Sequence, residues 1–251
     1  MLPDLGRLSL REPVPAPVPT DATVASELAQ ARADWLAATG KSWPTSKSWK
    51  SFDARDKRRL VHQVAQRSQT ADDDYVTPYT QTDIDDVLEE GRWSVEHVVP
   101  RSKCQMAEGD PWNFIEADRQ ENSVRSNLPL KLWPDAPNQL HVSKLQTWDG
   151  ELHYAPPPNQ RARLARKWLY ARATYGCGST MSRAQRARLS SIIALAKHTP
   201  PSRIEINVAE QLETLTGTRN PLILDAAPSR WYDSPAWRAL VGTLPNRWLG
   251  G

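Results

Sequence analysis

The chain has 251 residues, 39% hydrophobic and 24% charged, with a net charge of +3 and a pI near 8.9. This suffices for one sizeable domain, or at most two small ones, of ordinary globular composition with room for a basic face toward a polyanion. Only two cysteines, Cys104 and Cys177, are present, which excludes a zinc cluster and a disulfide framework and leaves one disulfide open.

Residues 1–20 carry five prolines and are expected to form a disordered or extended arm. They lack the basic start and apolar stretch of a signal peptide, and no apolar run in the chain is long enough to span a bilayer. A cytoplasmic protein, or one exported without a signal peptide, is therefore expected, with no membrane partner. Residues 21–90 read as a helical N-terminal region. One amphipathic helix starts at Asp21, with Val24, Leu28, Ala31 and Leu36 near helical spacing and Gly40 as its stop. A second covers Asp53–Gln69, with Leu60, Val61, Val64 and Ala65 turned inward. An acidic run from Asp72 to Glu90 ends at Gly91, where the pattern changes.

Trp93–Val99 is rich in β-formers and stops at Pro100. A linking stretch then leads to Asp118-Arg119-Gln120-Glu121, a capping-box pattern. It opens a short helix that carries Asn122 in its first turns and must end before Pro129. Asp149-Gly150, flanked by Gln139–Gln146 and Glu151–Ala155, signals a hairpin. After the Pro156-Pro157-Pro158 break, helices are expected over Arg161–Tyr175, Ser182–Lys197 and Arg203–Thr216, the last stopped by Gly217. Leu164, Trp168 and Tyr175 fall on one face of the first. A basic stretch from Arg161 to Arg188 reads, from charge alone, as a solvated helix face. Residues 227–251 form a Trp-rich tail, and no internal repeat is present.

Glu96-His97 closes the predicted strand, and Asn122 follows 26 residues after Glu96. These are the parts a phosphodiesterase needs. A neutral imidazole takes a proton from the attacking water, while carboxylate, amide and water oxygens suit Mg²⁺, which offsets charge on the phosphorane and the departing O3′. His97 is the candidate base, and Glu96 and Asn122 are the candidate metal ligands. Taken singly, a Glu-His at a strand end reads as structural or solvated, and an Asn in a first helical turn as a cap. His62, His141, His153 and His198 lack metal-ligand spacing and read as packed or surface histidines. Trp93 and Trp112 flank the site and either stack on bases or pack inside.

The surroundings of these residues carry a resemblance. Trp93-Ser94-Val95-Glu96-His97-Val98-Val99-Pro100-Arg101-Ser102 resembles the Glu-His-Val-x-Pro-x-Ser signature of the bacterial endonuclease I family. Asp110-Pro111-Trp112-Asn113-Phe114 is similar to its Asp-x-His-Asn-Leu block, and Asn122-Ser123-Val124-Arg125-Ser126-Asn127 to its Asn-x-x-Arg-Ser-Asn. Arg161–Tyr170 is similar to a helix usually reading Lys-Gly-Asp-x-Ala-Arg-x-x-Phe-Tyr. Gly217-Thr218-Arg219-Asn220-Pro221-Leu222-Ile223 stands where the family has Gly-Asn-Arg-Asn-Pro-Phe-Ile. The five blocks occur in the same order over roughly residues 91–225.

The resemblance implies a nuclease core over 91–226. It would be an α+β domain with a ββα-metal (His-Me finger) active site, mostly helical outside that motif. It further implies a monomeric Mg²⁺-dependent endonuclease, with Mn²⁺ as a substitute, acting on DNA and often RNA with little sequence preference and leaving 5′-phosphates. Carried over by position, His97 is the general base and Glu96 and Asn122 are the metal ligands. Arg101 is a candidate for substrate binding, and Arg125 or Arg166 holds a phosphate or makes a structural salt bridge. The chain departs from the family where Trp112 replaces a histidine and where Ala162-Arg163 replaces Gly-Asp. The link from Glu96-His97 to the Asp110 block is also short. Two other readings share the pattern. One is a nicking or structure-selective nuclease, or a delivered toxin. The other is a nucleic-acid-binding protein that has lost catalysis.

Overall fold

A computed structural model of the protein describes residues 54–68, 75–135, 144–175, 181–216 and 218–224. The expected arm, the helix from Asp21, the strand residues 139–143 and the Trp-rich tail lie outside them. The architecture is α+β, with helices around two small antiparallel sheets. Among the described residues no helix is long and apolar enough to cross a membrane.

Helix α1 (Ala54–Ser68) forms where the sequence places it, and Leu60, Val61, Val64 and Ala65 are buried. The acidic run holds a helix the charges concealed, α2 (Ile84–Glu89). Asp83 caps it by accepting from the Asp85 N–H at 2.8 Å, Asp85 and Asp86 sit at the favourable end of the helix dipole, and Ile84 and Val87 face inward.

Strand β1 (Trp93–His97) pairs antiparallel with β2 (Phe114–Asp118), in register from Trp93↔Asp118 to His97↔Phe114. The expected link through Asn113 is thus loop and short turns, and the residues between it and Asp118, to which the pattern assigned no element, form a second strand. All five β2 residues are buried, so no polar alternation marked it. Helix α3 (Arg119–Arg125) follows directly, and the Asp118 carboxylate accepts from the N–H groups of Gln120 and Glu121. The Glu121 carboxylate of the expected capping box instead takes Tyr154 Oη at 2.5 Å and Lys144 Nζ at 2.6 Å. The β1–β2 sheet packs against both α1 and α3.

Strands β3 (Leu145–Trp148) and β4 (Glu151–Tyr154) form the signalled hairpin, with Asp149 and Gly150 at φ 50° and 76°, as a type I′ turn requires. Helix α4 (Arg161–Tyr175) follows. The expected Ser182–Lys197 helix breaks at Arg188 into α5 (Arg183–Ala187), which carries a complete Ser182/Gln185 capping box, and α6 (Leu189–His198). Helices α7 (Arg203–Thr216) and α8 (Pro221–Leu224) complete the described chain.

Helix α4 corrects the reading of the basic stretch. It is buried from Arg161 through Thr174, and its cations lie inside the protein. Arg161 pairs with Asp135 at 2.9 Å, and Arg163 donates to the Tyr75 hydroxyl, itself bonded to Glu116. Arg166 grips Glu205 through Nε at 2.7 Å and Nη2 at 2.5 Å. Lys167 reaches the Trp112 carbonyl at 3.4 Å, and burial pushes its pKa down to about 8. Buried cations persist only when paired or hydrogen-bonded. The acids that pair them come from distant segments, which charge counting along the chain cannot see. Arg183 and Arg186 alone in this stretch are exposed as expected.

One apolar cluster joins Leu60 and Val64 of α1, Ile115 and Ala117 of β2, Leu164 and Leu169 of α4, and Val208 and Leu212 of α7. Residues 54–68 therefore share a core with the segment after 91. Cys104 is buried and disulfide-bonded, and the chain's other cysteine, Cys177, lies outside the described residues.

Candidate active site

Successive strand side chains point to opposite faces, and this sorts the candidate residues. Ser94 and Glu96 face α3, while Trp93 and His97 face the α1 side, where Trp93 stacks on His62 with centroids 6.0 Å apart. Glu96 and Asn122 thus share the α3 face, and His97 approaches from the other side at the last residue of β1.

Glu96 is 4% exposed. Its Oε1 takes Arg125 Nη1 at 2.6 Å and the Tyr79 hydroxyl at 2.9 Å. Burial raises its pKa, and Arg125 and Tyr79 oppose the rise. Asn122 Nδ2 donates to Ser94 Oγ at 3.0 Å and to the Val95 carbonyl at 3.4 Å, which turns Oδ1 away from β1. The His97 backbone N–H also donates to the Glu96 carboxylate. Two hard oxygens on one face suit Mg²⁺ or Mn²⁺, ions that complete their shell with water and phosphate. No group of three or more His, Cys, Asp or Glu able to hold a metal occurs among the described residues. An ion content with few protein ligands fits the described residues.

His97 packs edge-on to Phe114, 5.0 Å between centroids, and its Nε2 lies 2.9 Å from the Glu108 carbonyl. A carbonyl only accepts, so Nε2 carries the proton and Nδ1 keeps a free lone pair. Burial lowers the His97 pKa to about 4, a fall that nearby Lys57 and Arg101 reinforce and the Glu108 carbonyl resists. The Glu108 carboxylate in turn holds Arg101 at 3.3 Å and Lys57 at 3.7 Å. Lys57, Tyr79 and Glu108 are the participants that sequence reasoning missed. None sits in a matched block, and only the packing of α1, of the turn at Tyr79 and of the loop before Asp110 against β1 reveals them.

The arginines divide. Arg101 is exposed beside the site. Arg125 is buried, bound to Glu96 and to the carbonyls of His97, Val98 and Ser126. Arg166 does not belong to the site. Besides Glu205 it bonds the Ala196 and Thr199 carbonyls, so it joins α4 to α6 and α7 and offers no phosphate contact. Trp112 is fully buried, its Nε1 on Thr218 Oγ1 at 2.9 Å, and cannot stack on a base.

The family-block residues explain the site's rigidity. Asn113 is fully buried; its Oδ1 accepts from the Val99 N–H at 2.8 Å, and its Nδ2 donates to the Val99 and Ala107 carbonyls at 3.0 and 3.1 Å. It pins the loop that leaves His97 and returns through Glu108. Asp110 accepts from the Trp112 N–H and the Tyr175 hydroxyl, and burial pushes its pKa up to about 6.

No curated protein matches the sequence. The Endonuclease I family model matches residues 27–227, beginning well before the motif-bearing span, and the chain belongs to that family of nucleases.

Proposed function

We propose that the protein is a divalent-metal-dependent endonuclease that hydrolyses DNA, and RNA as a second substrate, with β1–β2–α3 as its ββα-metal motif. The observation that carries this reading is the state of His97. Its imidazole is neutral at physiological pH, its tautomer is fixed by Glu108, and Nδ1 remains able to accept a proton from an attacking water. Lys57 and Arg101, both tethered to Oε1 of Glu108, bring positive charge next to that base, where a phosphate would lie. Glu96 and Asn122 would hold Mg²⁺ on the α3 face. When bound, the ion supplies charge compensation for the phosphorane and the departing O3′. Contacts of this kind engage phosphates rather than base edges, which supports low sequence preference.

Purified protein incubated with supercoiled plasmid or RNA tests the reading. Cleavage is expected with Mg²⁺ and not with EDTA, and His97→Ala should slow it about 10²–10⁴-fold. Absence of metal-dependent cleavage overturns the proposal, and nicked circles without further degradation would favour a nickase. The reading as a catalytically silent nucleic-acid-binding protein draws on the burial of Glu96 and its pair with Arg125; cleavage abolished by His97→Ala excludes it.

A further inference from the structure

A cavity of about 390 Å³ opens beside the site, within the ~300–1,000 Å³ range of small-molecule pockets. Its wall begins at Val98, the residue after His97, and Arg125, the partner of Glu96, also lines it. The interior is largely apolar, with Leu130, Trp168 and Leu152 among the lining residues. Three polar groups at the cavity are unengaged among the described residues. The Arg125 Nε–H is buried, on a side chain 1% exposed, and has no hydrogen-bond partner. Lys103 is exposed and forms no ion pair, and Asn127 is exposed and forms no side-chain hydrogen bond.

We infer that this cavity receives one unstacked nucleobase of the substrate strand, from a nucleotide next to the scissile phosphate. The inference rests on the nuclease reading above. A base offers flat apolar faces to Trp168 and Leu152 and ring or carbonyl acceptors to the Arg125 Nε–H. Its own phosphate carries the charge that Lys103 lacks, and Asn127 can donate to or accept from its edge. A lone phosphate would leave the apolar walls unused, and a purely apolar ligand would leave the Arg125 donor unpaired. Single strands, mismatches and nicks supply an unstacked base at lower cost than intact duplex.

Two measurements test this on the full chain. In EDTA, thymidine 5′-monophosphate should bind at least about tenfold more tightly than 2-deoxyribose 5-phosphate, and Leu152→Trp, filling the cavity from its half-exposed rim, should erase the difference. With Mg²⁺, a single-stranded 12-mer carrying one abasic residue at successive positions should lose cutting about tenfold or more at the bond next to that residue. Equal binding of the two phosphates would reduce the cavity to an anion site and overturn the proposal. So would cleavage indifferent to every abasic position. Absence of cleavage with any oligonucleotide, alongside selective nucleotide binding, would instead sink the nuclease reading and leave the base pocket standing.

Discussion

Acidification should destabilise the protein through His97, and replacing that residue should remove the effect. The folded-state pKa is about 4 against an ordinary value of 6.5. Between those values the unfolded chain binds a proton that the folded chain refuses. The stability tied to the neutral ring is therefore complete above pH 6.5 and is lost as the pH falls toward 4. A difference of that size corresponds to about 3 kcal/mol at full development. Asp110, raised to about 6, works in the opposite direction over part of the same range, so the raw profile mixes the two. Subtracting the profile of His97→Gln, which keeps an N–H for the Glu108 carbonyl, isolates the histidine. Urea denaturation from pH 7 to 4 in EDTA should show wild type losing about 2–3 kcal/mol relative to the variant. A flat difference profile would mean that His97 is not held neutral, and the assignment of Nδ1 as base would lose its footing.

Arg166→Met should cost about 3–5 kcal/mol by leaving Glu205 buried and unpaired, and Arg166→Met/Glu205→Leu should recover most of it by urea titration. Below the melting temperature, kcat/KM on DNA should stay within about twofold for Arg166→Met, since the side chain meets no substrate. Asn113→Leu strands the Val99 N–H and two carbonyls, so a loss of about 3–5 kcal/mol is expected, with a fall in kcat as the Glu108 loop loosens. Lys57→Met combined with Arg101→Ala should reduce the slope of log binding constant against log salt by about 1–2 for duplex DNA, measured by anisotropy; an unchanged slope would remove both from the phosphate-binding role.

The sequence reading succeeds where the information is local. The Asp118 cap, the Asp149-Gly150 turn and the inward face of α1 are each specified by a few neighbouring residues. It fails where the environment comes from afar. Strand β2 carries no alternation because both its faces are covered, and α2 hides in an acidic run whose two inward residues are easily overlooked. At the candidate site, Glu96, His97 and Asn122 stand out through the family resemblance of the blocks around them rather than through their own spacing. Strand alternation also sets Glu96 and His97 on opposite faces, but Tyr79, Lys57 and Glu108 enter through tertiary contacts with no motif of their own.

The buried cations of α4 also constrain how this chain can diverge. Arg161, Arg163 and Arg166 each answer to an acid or hydroxyl from a different segment: Asp135, Tyr75 with Glu116, and Glu205. Changing Arg166 alone strands Glu205, and changing Arg163 alone leaves Glu116 with the Tyr75 hydroxyl only, whereas Asp135 keeps Lys131 when Arg161 is lost; exchanging a buried pair for apolar residues is close to neutral. Substitutions at Arg163 and Arg166 should therefore be accepted together with changes in Glu116 and Glu205.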